Sequence, residues 1–477
     1  MKPLRTRFAP SPTGALHSGV VRTATFAKLI AMHSGGQFLL RIEDTDQKRE
    51  VPGAVANITE SLRWLNLTWD EGPDIGGPYA PYTQSERLDI YREWATKLYE
   101  EGKAYADPYT PEELQAFREQ AQAEKRPFLY RDHRPESPPE WDGSQPLRIK
   151  LEPKEYSWDD AVLGTISMGP EMIDDYIIIK SDGFPTYNFC HIVDDHLMKI
   201  DLVTRSQEFL SSIPKFLATH EALGIEAPIN ATLPPILDET GKRKLSKRLG
   251  AKPVLEYKQL GYLSEAMINF LATIGWNDGT EQEIFSFDEL VAKFDLKRVQ
   301  KSGGIFDEQR LNWINGIHIR QLDIDDLYNR SQDFWPAEAA GAGDDYKKQV
   351  LGLIQERLKY LAEIPELTLF FFVDLPVDPA LISDHKQLKK IDTVELRSLL
   401  QQARDNLAES DFSLDDLTAR LNGLLELTGQ KPAILFSLVR IATTQSPASP
   451  GLAESLHVLG KERSLARIDQ QLLALQK

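Results

Sequence analysis

The apolar positions of this chain change their period near its middle. Up to about Gly250, short apolar runs alternate with stretches of helical spacing; beyond it, helical spacing dominates to the end. Leu4–Phe8 reads as a strand, Ser18–His33 as a helix closed by Ser34-Gly35-Gly36, and Gln37–Ile42 as a second strand. Together they make a β-α-β unit of a parallel sheet. Pro52 opens another amphipathic helix with Ile58, Leu62 and Leu65 on one face, and a third helix runs from about Ser85 to Glu101 before Gly102. Between about Asp107 and Asp174 the pattern loosens. Prolines crowd 127–146, and Pro146–Leu151 and Leu163–Met168 read as short strands. The β-α alternation then returns: an apolar strand at Tyr176–Lys180, a turn at Asp182-Gly183, a buried strand at Ile200–Thr204 and a helix near Gln207–Leu223. The stretch between is expected to be an insertion into an α/β domain. In the second half, Leu351–Ile364, Leu396–Leu407 and Leu414–Leu427 carry helical periodicity, and the chain has no internal repeat.

Composition narrows the class. At 477 residues, 41% apolar and 27% charged, the chain has room for roughly two to four domains. Its single cysteine, Cys190, rules out an internal disulfide and a multi-thiolate zinc site, and fits a reducing cytoplasm. MKPLRTRF lacks a signal-peptide apolar core, and the run Leu369–Val373 is far short of the ~20 residues of a membrane span, so no membrane partner is expected. Acidic residues outnumber basic ones, 72 to 55, for a net charge of -17. That total argues only mildly against nucleic acid, because binding depends on where Lys and Arg cluster.

Two stretches carry candidate chemistry. The first, RFAPSPTGALHSGVVRT at 7–23, runs from a strand through a loop into a helix start. Ligands of α/β sheets sit at the carboxyl ends of strands, where helix N-termini offer free N–H groups and a positive dipole end to phosphate. Gly14 and Gly19 let backbone approach closely, and His17 can donate toward a phosphate. The stretch is neither a GxGxxG nor a Walker loop, so a tight turn with a capping His or Ser stands beside the phosphate reading. The second, ETGKRKLSKRLG at 239–250, places Lys242, Arg243, Lys244, Lys247 and Arg248 between two glycines. In so acidic a chain this concentration suits an anionic partner, and the glycines suit a loop that closes over a phosphate chain; a solvated surface loop is the other reading.

Taken together, SPTGALHSG at a first β-α turn and KLSKR after the last α/β element resemble the two signatures of class I aminoacyl-tRNA synthetases. RTRFAPSPTG, GGQFLLRIEDTD, YTQSERLDIY, SDGFPTYNF, VDDHLM and FDEQRLNWINGIHI follow in order over residues 4–320 and are similar to the bacterial-type glutamyl-tRNA synthetases. The C-terminal part resembles them by helical texture and length. The resemblance implies that L-glutamate attacks the α-phosphorus of ATP, with Mg2+ accompanying the nucleotide, and that the glutamyl group then passes from the adenylate to the 3′ end of tRNA-Glu. Such chemistry needs positioning and charge stabilisation, and no protein nucleophile. His17 and Gly19 would face the ATP phosphates, and Lys244 and Lys247 the charge developing on pyrophosphate, with Glu208 and Ser246 also in the ATP site. Arg7, Ser11, Glu43, Tyr187 and Arg205 fall where the family's glutamate contacts sit. A guanidinium can grip a carboxylate through two parallel hydrogen bonds. For Glu43-Asp44 a plain structural ion pair with Arg41 is the alternative.

The implied architecture is α/β with a helical tail. A Rossmann-type parallel-sheet catalytic domain in two halves (1–107 and 189–250) would hold an inserted α+β acceptor-end-binding domain (108–188). A helical stem-contact domain (251–320) and an all-α anticodon-binding domain (321–477) would follow. Basic runs such as Lys242–Arg248 and Lys297–Lys301 would face tRNA. In the helix expected over GLIQERLKYLAEIPEL, Arg357 falls where an arginine of discriminating relatives reads the third anticodon base; a surface pair with Glu363 is the alternative. The chain also departs from the family. Ser18 stands where Ile or Val is usual, and Leu245 where Met is usual. Ser206-Gln207-Glu208-Phe209 has one acid fewer, which leaves the adenosine contacts open. Around FLYRDHRPES the cysteines that hold zinc in some relatives are missing, so no zinc is expected. A glutaminyl enzyme would carry β-barrel strands in its second half, and a short glutamyl-queuosine enzyme would lack 321–477. A tRNA-independent small-molecule adenylate-forming ligase would not need the helical half. A monomer is expected.

Overall fold

Four short parallel strands carry the first part of the chain. In the computed structural model, which describes residues 2–245, 252–446 and 448–476, β1 (Arg5–Phe8) leads through the Pro-rich loop into α1 (Ser18–Ser34) and back to β2 (Gln37–Leu40). Gly35 closes α1 in the left-handed conformation at φ 69°. At Gly36 the chain passes so close to β1 that a Cβ would overlap the Leu4 carbonyl. The Gly-Gly pair is thus a steric necessity of turning a helix straight into the neighbouring strand. After α2 (Ala54–Trp64) and α3 (Leu88–Glu100), a three-stranded antiparallel sheet is built from β3 (Ala104–Ala106), β4 (Leu147–Ile149) and β7 (Tyr176–Ile179). Helix α4 (Pro111–Ala123) and the hairpin β5 (Tyr156–Asp160)–β6 (Gly164–Met168) lie within that stretch. Helix α5 (Tyr187–Leu197), β8 (Leu202–Ser206), α6 (Ile213–Leu223) and β9 (Ile229–Leu233) return the chain to the parallel sheet, whose order is β2-β1-β8-β9. Thr6 of β1 stands opposite Phe38 of β2 on one side and Leu202 of β8 on the other.

The chain divides into two compact units, Met1–Lys258 with Ser264–Ile314, and Gln259–Leu263 with Asn315–Lys477. In the first, α1 is buried along most of its length. Phe26 meets Phe294 edge to face at 4.9 Å. The antiparallel sheet has no core separate from its surroundings: Leu147, Ile149 and Ile178 pack with Tyr91, Ala95 and Leu98 of α3, Phe189, Ile192 and Val193 of α5, and Phe216 of α6. The second unit is helical. Thr393–Ala408, Leu414–Thr428, Pro432–Thr444, Leu452–Leu459 and Lys461–Ala474 surround a Leu-rich core that includes Leu400, Leu417, Leu435 and Ile468. None of the helices is long and apolar enough to cross a membrane, among the described residues.

Several elements differ from expectation for identifiable reasons. The helix expected over Leu351–Ile364 is broken: Asp344–Ile354 ends in a single turn at Gln355–Arg357, the backbone is extended at Leu358, and a new helix runs over Ile364–Phe372. Pro365 in its first turn lacks the N–H that an uninterrupted helix would need there. Leu351, Ile354, Leu358 and Leu361 are all buried, so an irregular path reproduces the helical spacing of apolar residues. Gln207–Ser212 is a 3-10 turn, and the helix proper starts at Ile213 with Pro214 in its first turn. Strands β3, β5 and β9 and helix α4 were not expected. Strand β3 has only three residues, β5 and β9 mix polar with apolar positions, and α4 is mostly exposed, held instead by a capping box between Thr110 and Glu113.

Asp160, at the end of β5, anchors the hairpin. Its buried carboxylate accepts from the backbone N–H of Val162 (2.9 Å), Leu163 (3.0 Å) and Thr232 (3.0 Å) and from the Thr232 hydroxyl (2.6 Å). Asp160→Ala strands those donors in the interior and is expected to cost about 3 kcal/mol or more. A melting temperature of the purified variant equal to that of the unaltered protein would contradict this.

Candidate active site

The strand order itself places the site. The chain leaves β1 to one side for β2 and to the other for β8, and a crevice opens beyond the carboxyl ends of the strands where the order reverses. Every strand end contributes: Phe8–Ser11 after β1, Glu43 after β2, Arg205 and Ser206 at β8, and Pro234–Ile236 after β9. The crevice, about 340 Å³, is also lined by His17, Gly19, Arg22 and Thr23 of α1 with its cap, Tyr187 at the start of α5, and Glu208, Lys244 and Leu245. A second, more open cavity of about 500 Å³ lies beside it, walled by Pro10–His17, Asp46, Arg49 and Phe209. Thus Arg7, Ser11, His17, Gly19, Glu43, Tyr187, Arg205, Glu208 and Lys244, spread over residues 7–244, meet around one cavity. Ser246 and Lys247 lie outside the described residues, and Arg357 belongs to the second unit.

Beneath the crevice lies a buried ion network. Asp195 accepts from Arg7 Nε (3.1 Å) and Nη2 (3.3 Å) and from Arg41 Nη1 (2.9 Å), and Arg205 Nη2 stands 3.8 Å from its second oxygen. Arg41, fully buried, also donates to Glu43 (2.9 Å) and lies 3.6 Å from Asp194. Asp194 in turn accepts from Arg87 (2.8 Å), Tyr91 (2.8 Å) and Gln84 (2.9 Å). Four guanidiniums face three carboxylates, so one positive charge is left over, at the face open to the crevice where Arg7 and Arg205 lie. The Asp195 carboxyl is held well below the usual range; burial opposes its ionisation, and Arg7 and Arg41 more than reverse that. Burial pushes Glu43 upward despite its bond to Arg41, and pulls Arg205 downward. The alternative reading of Glu43 is thus half met: it pairs with Arg41 and also lines the crevice, whereas Asp44 binds Ser85.

Arg7 spends Nε and Nη2 on Asp195; Arg205 donates to Asn230 (3.3 Å), and its buried Nε has no hydrogen-bond partner. Tyr187 stacks on His191 at 4.7 Å, and burial keeps that imidazole neutral, its pKa far below the usual value. At the other end of the crevice His17 caps α1 without a side-chain capping bond, and the N–H groups of Val20 and Val21 donate to its carbonyl (3.0 and 3.2 Å). A Cβ at Gly19 would sit 3.5 Å from His17 Nδ1, so the glycine keeps a side chain away from both the ring and the helix end. Lys244 pairs with Glu208, and this holds the Glu208 carboxyl below its usual pKa. The backbone secures both flanks of the cationic loop. Lys244 bridges Leu237 and Leu245 N–H donates to Ile236 O (2.8 Å), while Pro253 bridges His17. Arg41, Arg87, Asp194 and Asp195 escaped sequence reasoning as site residues. The run VDDHLM contains the last two, but nothing in their spacing reveals that they meet arginines 107 to 188 residues away.

In the second unit, Arg357 is exposed on the single turn after Ile354, not on a continuous helix. Glu363 does not pair with it; its carboxylate accepts from Lys359 N–H (2.7 Å). Arg440 lies close by, its pKa lowered first by burial and then by the Arg357 charge.

Comparison with known sequences points to a class of ligases. The family described as class I tRNA synthetases (E and Q), catalytic domain, matches residues 3–313, and an anticodon binding domain matches 326–472. The chain belongs to the class I tRNA synthetases. Similar curated proteins are the glutamate–tRNA ligases of Dehalococcoides mccartyi, 43% identical with 98% of this chain and 96% of the relative covered, and of Roseiflexus castenholzii, 42% identical with 99% and 97% covered. Among solved structures, a glutamate tRNA ligase from Elizabethkingia meningosepticum in complex with its amino acid superposes with a TM-score of 0.88 at 32% identity, covering 99% of this chain and 100% of that one.

Asp195→Asn removes the carboxylate that three guanidiniums share. A buried pair broken on one side costs about 3–5 kcal/mol. The variant is expected to melt at lower temperature and to lose activity; a wild-type melting profile would show that the network is not what holds these arginines.

Proposed function

We propose that the chain is a glutamate–tRNA ligase that forms glutamyl-adenylate from L-glutamate and ATP and transfers the glutamyl group to tRNA-Glu. The observation that carries this reading is the residual positive charge of the Arg7–Arg41–Arg205 network, exposed at one end of a cavity whose other end is the start of α1. A dicarboxylate amino acid fits the first end and a nucleotide triphosphate the second. Arg7 and Arg205 hold the glutamate side-chain carboxylate through N–H groups that Asp195 leaves available; Glu43, Tyr187 and Ser11 border the amino-acid end. A neutral side-chain amide would gain less from the excess charge, which gives the preference its sign.

In the first step the substrate's α-carboxylate oxygen bonds to the α-phosphorus as the bond to pyrophosphate breaks. His17 and the N–H groups by Gly19 orient the phosphates, and Lys244 with Lys247 stabilises the charge that gathers on pyrophosphate. Transfer of the acyl group to a ribose hydroxyl of the tRNA end then releases AMP. Mg2+ would enter bound to the triphosphate. Glu43 and Glu208, the carboxylates at the cavity, are engaged by Arg41 and Lys244, and among the described residues no cluster of His, Cys, Asp and Glu is arranged to hold an ion. The site roles assigned to Ser246 and Lys247 belong to the same proposal. So do the acceptor-end role of 108–188, the stem contact of 251–320, the anticodon role of 321–477, a cytoplasmic location, a monomeric state and independence from zinc.

Lys247→Ala tests the reading directly. Its charge matters mainly in the transition state, so kcat of ATP–pyrophosphate exchange is expected to fall by on the order of 10²–10³ while tRNA affinity holds. Near-normal turnover would overturn the assignment.

Arg357 extends the proposal to tRNA choice. Its exposed guanidinium can donate two parallel bonds to the acceptor atoms of cytosine, the third anticodon base of tRNA-Glu, whereas guanine in tRNA-Gln offers mostly donors on its pairing edge. Charging of purified tRNA-Glu in preference to tRNA-Gln, relaxed in Arg357→Gln, is the expected result; equal charging of both by the unaltered protein would defeat it.

A further inference from the structure

Arg22 lines the crevice, and the proposed reaction makes no use of its charge. It sits one turn inside α1, beyond Gly19, and is 3% exposed. Its Nη1 donates to Ile274 O at 3.1 Å and its Nη2 to Pro234 O; its buried Nε has no hydrogen-bond partner. Both acceptors are backbone carbonyls. No carboxylate pairs with it among the described residues, in contrast to the Asp- and Glu-bound arginines at the amino-acid end. Burial without an anion lowers its pKa to about 10, which still leaves it charged at neutral pH.

A buried cation without a counter-ion is costly, and carbonyl dipoles offset only part of that cost. The location gives it a use. Pro234 opens the wall segment Pro234–Ile236, and the next residues, Ile236 and Leu237, are those on which Leu245 and Lys244 are paired. One guanidinium therefore ties the helix that begins at His17 to the strand end that carries the lysine loop. It brings a fixed positive charge to the junction of the two phosphate-facing elements. We propose that Arg22 is a further determinant of polyphosphate binding: its uncompensated charge favours the triphosphate and the departing pyrophosphate, and its two carbonyl bonds hold that charge in place. This inference rests on the reading of the crevice as an ATP site.

The test measures, by calorimetry on the full chain, the affinity of ATP, pyrophosphate and adenosine for the unaltered protein, Arg22→Gln and Arg22→Lys. The expected result is that Arg22→Gln binds ATP and pyrophosphate about tenfold to a hundredfold more weakly, as for a lost bond to a charged group. Adenosine affinity should hold, and Arg22→Lys should restore most of the loss. Equal weakening of all three ligands in Arg22→Gln means the arginine only clamps the wall, and unchanged affinities mean it does nothing; either overturns the proposal. If Arg22→Gln does not fold, Arg22→Lys decides. An ammonium can serve one of the two carbonyls, so retained pyrophosphate affinity supports the role of charge and a tenfold loss overturns it. Failure of the unaltered protein to bind ATP would instead strike the reading of the site.

Discussion

Asp195 is the carboxylate around which the catalytic unit is arranged. Arg7, Arg41 and Arg205 come from the ends of three parallel strands or just beyond them, and their like charges would repel one another in an interior where water screens little. The carboxylate on α5 reconciles them, and Asp194 beside it does the same for Arg87. Because Asp194 and Asp195 come from one helix and the cations from β1, the segment after β2, α3's entry turn and β8, the network locks helix to sheet as it sets the charge of the crevice floor. One fewer carboxylate would leave more charge to bury, and one more would remove the excess positive charge.

The opposite end of the crevice is built from the start of a helix and a more exposed ion pair. Helix α1 begins at His17 with its backbone donors uncapped by a side chain, and the lysine loop is attached at Leu237 on one flank and at His17, through Pro253, on the other. The Lys244–Glu208 pair is more than half exposed, with both side chains near 57%. Water screens such a pair, so it contributes little to stability and gives way readily to a phosphate ligand. The two ends thus differ in kind: a dry, charge-matched floor at Arg7 and Arg205, and a more exposed rim at Lys244 and Glu208.

The second unit follows a different logic. Its core is leucine-rich and its helices are capped by Asp392 and Ser413, whose side chains accept from the first-turn N–H groups. The functional candidate there is not on a regular helix at all. Arg440 feels the charge of Arg357, though burial does more to lower its pKa.

Much of this could be read from the amino acids in order. The alternation of short apolar runs with helical spacing announced the β-α-β start and the helical second half. The loop at 7–23 supplies Ser11, His17 and Gly19 to the crevice, and the cationic run that starts at Lys242 supplies Lys244. The spacing of apolar residues and the makeup of these two runs are local properties, and local sequence determines them. Strand β9, Ile229–Leu233, was illegible because Asn230 and Thr232 interrupt its apolar residues, and its pairing with β8 decides its conformation. The break before Ile364 was hidden because an irregular path buried the same leucines that a helix would have. The ionic floor was decided only by tertiary structure. Arg7 and Asp195 are separated by 188 residues, and a charge has no partner in a sequence until folding excludes water and leaves it one.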